Sequence, residues 1–477
     1  MAVVSGEQAK RRRCGITELP DCIMENIVSK LCLKDAVNTI LASPSQWKHL
    51  SHQILTRRNL EFDYLNIFGN NYSTLYDIDQ EFFRRVSRYL HQYQGDKVDS
   101  FKLRCRLRHA ERVILNEWIG FAFSKGIEEL HLAFGCFGGR TKHYVFPQSL
   151  HVGSTLNLKH LLLKDCILKH PTSEFDAFNR LTTLSLKNGS IDQSLMANLF
   201  SVCVLLESLT LRWCRMAAGR YYMNGAADSI VAGNRLTHLK LIDCEERTCR
   251  TEISALNLVS LEYMPSSNCR FFSIKAPRVS RIFFSNKRVK YTLLPQALIK
   301  FESCPGLEAL HLQILAELPR ISSIPTYGYL KQLRLDIDLH RENRQDSDDV
   351  DVNVVLDLIK AAPLLEELVI LIYGGKLSET NPRQTKDHST FTNDHLRMVE
   401  IQGFRGNWYD TELAICILEI SPKLEKLVID QLVSRYLGDG KYYDPWREHL
   451  REEVLEGKLK GLILKTDAQI ILKNVQL

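Results

Sequence analysis

Apolar positions along the chain gather into a recurring phrase, Leu-x-x-Leu-x-Leu, in which polar or charged residues separate the leucines. Clear copies are Leu158-Leu161-Leu163, Leu181-Leu184-Leu186, Leu206-Leu209-Leu211, Leu236-Leu239-Leu241, Leu307-Leu310-Leu312 and Leu330-Leu333-Leu335. Looser copies are Ile127-Leu130-Leu132, Leu258-Leu261-Tyr263, Val279-Ile282-Phe284, Leu365-Leu368-Ile370, Leu396-Val399-Ile401 and Leu424-Leu427-Ile429. The last two apolar positions of each phrase are two residues apart, so on a strand they share one side, and the residues between and after them turn to the other. Repetition of one such unit predicts a solenoid that grows by stacking.

Successive copies lie roughly 21 to 35 residues apart, at and beyond the upper end of the leucine-rich-repeat period, so the solenoid is irregular. Between the strands, Ser194–Leu205, Leu294–Glu302, Asn353–Ala361 and Thr411–Glu419 read as helical returns on the convex side. Three returns run into related segments, Cys304-Pro305-Gly306-Leu307-Glu308, Ala362-Pro363-Leu364-Leu365-Glu366 and Ser421-Pro422-Lys423-Leu424-Glu425. Proline halts the helix there and the next strand begins at once. Polar stretches at 341–351 and 380–390 are expected to bulge from one edge as loops.

The pattern changes before the repeats. Pro20 suits a first helical position, and Ile23, Ile27 and Leu31 then recur every four residues, giving one apolar face. A second helix is expected over Lys34–Ala42, and Ser43-Pro44-Ser45-Gln46 has the form of a capping box opening a third through Trp47, Leu50 and Ile54. Three short helices make a thin core, and such a module needs a partner over its apolar surface. The stretch after it is aromatic and charged, with a helix expected around Gln80–Tyr93. Val98-Phe101-Leu103 and a helix over Glu111–Ser124, carrying Trp118 and Phe121, are expected to form the first, capping coil.

Composition narrows the function classes. The chain has 477 residues, 45% hydrophobic and 25% charged, enough for a large core. Its 62 basic and 56 acidic residues leave a net charge of +6, too slight an excess to imply nucleic-acid binding. Thirteen cysteines without C-x-x-C pairs argue against a disulfide framework or a zinc ribbon, and Cys166, Cys203 and Cys244 sit beside the repeat phrases as small packing thiols. Reduced thiols imply cytosol or nucleus. No stretch reaches the roughly 18 apolar residues of a membrane span, and the run Lys10-Arg11-Arg12-Arg13 reads as a basic tail or a nuclear localisation signal.

Catalytic chemistry finds no constellation. The histidines have no metal-ligand spacing, and the glycines of Gly135-Cys136-Phe137-Gly138-Gly139-Arg140 lack the Gly-Lys-Ser/Thr of a phosphate loop, so that segment reads as a turn. Neither a cofactor nor a metal is expected. Residues turned to the concave face are more informative: His131, His160, Lys164, Lys187, Arg212, His238, Lys240, Arg281, His311 and Arg334 make its early and middle part basic. Glu367, Glu400 and Asp430 occupy the corresponding places in the last phrases. Either these charges are simply solvated, or His160, Lys164, Lys187, Arg212, Lys240, Arg281 and Arg334 select an acidic or phosphorylated protein segment. A small anionic ligand beneath the face is a further alternative.

The segments Leu19-Pro20-Asp21-Cys22-Ile23, Leu31-Cys32-Leu33-Lys34-Asp35-Ala36-Val37 and Trp47-Lys48-His49-Leu50 resemble an F-box. Joined to irregular leucine-rich repeats, and to the stretch His395-Leu396-Arg397-Met398-Val399-Glu400-Ile401-Gln402-Gly403-Phe404-Arg405-Gly406, the chain resembles the plant F-box/leucine-rich-repeat family with an FBD-type ending. The resemblance implies an α/β protein with an N-terminal three-helix F-box (14–55), a helical connector (56–95), leucine-rich repeats (96–360) and FBD-like C-terminal repeats (361–477). The repeats would form a curved parallel sheet with helices on the convex side. It further implies a non-catalytic substrate-recognition subunit of an SCF-type ubiquitin ligase. Leu19, Pro20, Ile23, Ile27, Leu31, Val37 and Trp47 would face a Skp-type adaptor of the cullin ligase core, and the repeats would hold a protein target, with no nucleic acid or membrane involved. The competing reading is a repeat scaffold that binds its partner outside any ligase.

Overall fold

The computed structural model describes residues 19–42, 51–69, 78–107, 111–135, 143–147, 157–169, 178–192, 199–217, 228–231, 235–244, 250–265, 271–285, 293–315, 324–339, 352–374, 391–443, 446–447 and 468–473. Contacts divide the chain into two compact units: Met1–Cys166 with Thr172–Arg180, and Ile167–Pro171 with Leu181–Leu477. Trp47, the 43–46 capping box, the basic run at 10–13, most of the glycine-rich turn and the loops at 341–351 and 380–390 lie outside the described residues.

The first unit opens with helices Asp21–Lys30, Leu33–Ala42 and Ser51–Leu55. Pro20 is the N-cap of the first, with an extended ψ of 147°, so the helix starts one residue later than expected. This helix carries two apolar stripes, each at a spacing of four. Met24 and Val28 are buried, whereas Ile23 is exposed and Ile27 half-buried. Arg57 fixes the helix by its end, donating to the Leu31 carbonyl at 3.3 Å and to the Val28 carbonyl at 2.6 Å, which also accepts the Leu31 N–H. Lys34 donates to the Phe68 carbonyl at 2.6 Å, tying the second helix to helix Tyr64–Phe68.

Strands Asn59–Phe62, Ser100–Arg106, Glu129–Gly135 and His160–Lys164 then pair in parallel. Helices Ile78–Gln92 and Arg112–Ser124 are their returns. The first strand falls in the stretch expected to be a helical connector, so the ladder begins one coil before the leucine phrases. Asn-Leu-Glu-Phe alternates correctly for a strand, with Leu60 and Phe62 buried, but is too short to display the phrase. Trp118 is core: it stacks on Phe83 with ring centres 5.0 Å apart and donates its indole N–H to the Ser87 hydroxyl at 3.3 Å.

In the second unit the ladder runs through Thr183–Lys187, Ser208–Arg212, His238–Ile242, Ser260–Met264, Arg281–Ser285, Ala309–Leu315, Gln332–Asp338, Glu367–Tyr373, Met398–Gln402, Lys426–Asp430 and Gln469–Lys473. The pairing described along it is parallel. In both units every apolar position of the twelve phrases is buried, and the most exposed, Leu424, reaches only 8%. Repetition therefore reports the core directly.

Helices Leu293–Phe301, Val352–Lys360 and Trp408–Ile420 return where expected. After each, the same turn leads back to the ladder: Leu307, Leu365 and Leu424 donate their N–H to the carbonyls of Cys304, Ala362 and Ser421, all at 3.1 Å. Other returns are extended. Asp228–Val231, Arg250–Ser254 and Phe271–Lys275 form a second parallel sheet, and the last two serve the short coils from Leu236 to Val279. A strand advances about 3.3 Å per residue against 1.5 Å for a helix, so a short coil closes only with an extended return.

The strands leave the ladder through a repeated corner. Asn188, Trp213 and Asp243 follow their strands with φ of 49°, 52° and 50°, as Asp165 does in the first unit with 61°. Asn and Asp tolerate this left-handed region better than other side chains. A buried cysteine comes next in three of these corners, at Cys166, Cys214 and Cys244. Cys214 donates its thiol to the Leu186 carbonyl at 3.4 Å and Cys244 to that of Leu211 at 3.3 Å, each stitching its corner to the preceding strand.

In the FBD-like stretch, strand Met398–Gln402 turns through Gly403 into helix Trp408–Ile420. Gly403 has φ of 70°, and a Cβ there would strike the Ile372 carbonyl oxygen. Asp410, 0% exposed, accepts from the backbone N–H of Arg405 at 2.9 Å and of Asn407 at 3.0 Å. Burial pushes its carboxyl up to about 6 in spite of these bonds.

Candidate functional site

Two surfaces follow from this construction. The first lies on the N-terminal helices that resemble an F-box. Ile23 (44% exposed) and Val37 (40%) are among the large apolar side chains left outside, Pro20 is exposed, and Leu19, Ile27 and Leu31 are half-buried. Inward neighbours on the same helices, Met24, Val28 and Ala36, are buried. The helices are thus held from one side while the expected contact residues lie on another.

The second surface is the outward side of the ladder, where register sorts the residues into rows. In the second unit one row runs Ser208, His238, Ser260, Arg281, Ala309, Gln332, Glu367. The next runs Thr210, Lys240, Glu262, Phe283, His311, Arg334, Val369, and Lys187 pairs with Arg212 on the third. The expected cations are therefore spread over three rows and form no single stripe. His160 and Lys164, on the first unit's strand His160–Lys164, are exposed.

A hairpin of the second unit lies over these rows. Its arms are Tyr436–Gly438 and Lys441–Tyr442, and its tip, Gly438-Asp439-Gly440, has φ of 81°, 57° and 69°. With φ of 81° and a Cβ that would come within 2.8 Å of Ile242, Gly438 suits the approach of the tip better than other residues. Asp439 accepts from Lys187 at 2.8 Å and from Lys240 at 3.2 Å, and its N–H donates to Glu262 at 2.6 Å. Burial alone would raise the Asp439 carboxyl, but the two lysines hold it below the ordinary range. Burial likewise works against the Lys240 ammonium, which Glu262, at 2.9 Å, and Asp439 raise above its usual value.

Arg212, 6% exposed, donates to the carbonyls of Leu437 at 3.3 Å and Gly438 at 3.4 Å, with its guanidinium 4.4 Å from the Trp213 ring centre. Arg334 donates to the Asp336 carboxylate at 2.9 Å and to the Ser434 carbonyl at 3.2 Å. Asp336 is 0% exposed and also bonds His311 at 3.0 Å and Gln313 at 3.1 Å. Burial opposes its ionisation, yet His311, Arg334 and Gln313 keep its carboxyl low. The Tyr436 ring sits 4.8 Å from Phe283 and 5.3 Å from His311.

Lys187, Arg212, Lys240 and Arg334 thus already have partners within their own unit, and Asp439 occupies the place an acidic segment would take. The Arg281 side chain is exposed and makes no hydrogen bond or ion pair among the described residues. Asp439 and Tyr436 escaped sequence reading because the hairpin carries no leucine phrase. The glycines flanking Asp439, between short strand-like pieces, are the cue that marks it. Among the described residues no group of three His, Cys, Asp or Glu side chains is placed to hold a metal.

Comparison with known proteins accords with this architecture. The family model described as At1g61320/AtMIF1, LRR domain, matches residues 89–451. The F-box/FBD/LRR-repeat protein At1g13570 of Arabidopsis thaliana is 26% identical over 440 residues, which cover 88% of this chain and 91% of that protein. The F-box/FBD/LRR-repeat protein At4g00160 and the F-box/LRR-repeat protein At3g03360, from the same plant, are 32% and 26% identical over 41% and 42% of this chain. The matched part spans only 40% and 38% of those two relatives. With the repeat model covering most of the chain and F-box relatives of matching layout, the chain belongs to the plant F-box/leucine-rich-repeat family with an FBD-like C-terminal region.

Proposed function

We propose that this chain is a non-catalytic substrate-recognition subunit of an SCF-type ubiquitin ligase, acting in the nucleus or cytoplasm. Its F-box helices bind a Skp-type adaptor of the cullin core, and its repeats hold a protein to be ubiquitinated. The observation that carries the reading is the double-striped first helix. Met24 and Val28 secure it to its own unit, while Ile23, Ile27 and Leu31 stay wholly or partly uncovered beside exposed Pro20 and Val37. Uncovered apolar side chains on two adjoining helices suit a protein interface.

The test is co-purification of the full chain with a plant Skp-type adaptor. The wild-type chain should retain the adaptor, and the double variant Leu19→Ala/Pro20→Ala should lose it while unfolding at the same temperature. A folded wild-type chain that never retains the adaptor would favour a repeat scaffold working outside the ligase.

A further inference from the structure

The hairpin divides the outward face of the second unit into a filled part and an open part. Around Lys187, Arg212 and Lys240 its tip satisfies the charges, and Arg334 is held by Asp336 and Ser434. Beyond Tyr436 a cavity of about 430 Å³ remains open between the hairpin and the strands, within the range of volumes that ligand sites occupy. Ala309 and Val369 lie on its floor, and Phe283, His311 and Tyr436 form an aromatic wall. Its ends carry opposite charges. Within one register row Arg281 lies toward one side of the cavity and Glu367, which accepts from Gln332 at 3.0 Å, toward the other, with Ala309 and Gln332 between them.

Strands in a sheet are about 4.8 Å apart, so three strand steps separate Arg281 from Glu367 by roughly 14 Å. An extended peptide covers nearly the same distance in four residues at about 3.3 Å each, and its residues i, i+2 and i+4 point to one side. The ladder strands already use their backbone groups in pairing each other, which leaves side chains as the means of recognition. Glu262, also beside the cavity, is taken by Lys240 and by the Asp439 N–H.

From this geometry we infer that the cavity takes a short extended segment of the target protein, lying across the strands, with an acidic residue on Arg281, an aromatic residue in the cavity and a basic residue on Glu367. The residues alternate as acidic-x-aromatic-x-basic, and either chain direction satisfies the charges. The inference rests on the reading that the repeats hold a protein target, and it moves the contact from Lys187, Arg212 and Lys240, which the hairpin tip satisfies, to the open cavity beside them. Aromatic insertion against Phe283 and Tyr436 supplies binding area, while the two end charges set register and selectivity.

Selection of random linear peptides displayed on phage against the full chain tests it. The wild-type chain should enrich an aromatic residue flanked two positions away by one acid and one base. Arg281→Glu makes both ends negative and should shift enrichment to a base on each side. Glu367→Lys should shift it to an acid on each side. A peptide recovered on the wild-type chain should bind either variant at least roughly fivefold more weakly, the effect of about 1 kcal/mol from a surface charge. Ala309→Trp, which fills the floor, should abolish the aromatic preference. Absence of enrichment, or enrichment of the same peptides on all four proteins, overturns the inference. Adaptor retention is scored on the same preparations: its loss with peptide selectivity intact would count against the ligase reading alone, and an unfolding temperature equal to wild type shows that the variants are folded.

Discussion

Leu335 and Ile23 are similar in size and hydrophobicity, yet Leu335 is 0% exposed in a ladder strand and Ile23 is 44% exposed on the first helix. The contrast runs through the molecule. In the ladder each apolar residue meets the corresponding residue of the neighbouring coil, so repetition covers it from inside the chain. On the F-box helices only one of two stripes finds such cover, and the other ends at solvent. Apolar residues that repeat report architecture, and those left over report where another molecule is expected.

Leu335→Ala breaks the comparison at its stronger side. It should cost about 3 kcal/mol in urea unfolding, because truncating a buried leucine loses transfer energy and leaves a cavity. Ile23→Ala should change the same measurement by less than about 0.5 kcal/mol, as expected for an exposed side chain outside the core. Ile23→Ala should nonetheless weaken adaptor retention, which Leu335→Ala spares where the protein stays folded. If both variants unfold equally early, the helix stripe is core and the division fails.

Much of this division was legible in the sequence. The phrase marks the core because strand period and repeat combine in it, and the return helices stand out because proline ends them. Strand Asn59–Phe62 was hidden by its length, and the extended returns by the irregular coil spacing. The sequence places the cations between the inward leucines, but it does not show their partners. Pairing is a long-range property: Lys187 and Asp439 are 252 positions apart. Only the local turn of the hairpin leaves a trace in the sequence, and nothing local says where its tip will land. On the F-box the sequence displayed the Ile23 stripe, whereas the burial of Met24 and Val28 depends on Arg57 and on distant packing.

Asp410 sharpens the ladder side, since it is a carboxyl 0% exposed within the chain's own packing, beside Arg405 and Asn407. Its carboxyl is pushed up to about 6, above the ordinary value of 3.8, so the folded protein holds a proton that the unfolded chain has released between those two values. Stability therefore falls as pH rises through that window, by about 3 kcal/mol in total for this one group. Asp410→Asn keeps an oxygen that can accept from the N–H groups of Arg405 and Asn407 but cannot ionise. The difference in unfolding free energy between wild type and Asp410→Asn should thus change by about 2 kcal/mol between pH 4 and pH 7, in favour of the variant as pH rises. A difference that stays flat with pH would mean that Asp410 is ionised at little cost.

Trp213 offers the smallest effect and the finest cut, because it belongs to the ladder yet behaves like the F-box stripe. It is 47% exposed, and it stands with φ of 52° in a corner that Asp165, Asn188 and Asp243 occupy in other coils. Left-handed backbone costs an ordinary side chain about 1 kcal/mol, and asparagine less. Trp213→Asn should recover most of that, while losing the contact with the Arg212 guanidinium, worth about 0.5 to 1 kcal/mol at an exposed site. The indole N–H bond to Asp243, at 3.1 Å, is exposed and adds little. The two effects nearly cancel, so the unfolding free energy should move by less than about 0.5 kcal/mol. A loss above about 2 kcal/mol would make Trp213 part of the architecture, through the hold of Arg212 on the hairpin. A neutral result would instead place it with Ile23 and Val37, as an apolar side chain that the chain's own packing does not need.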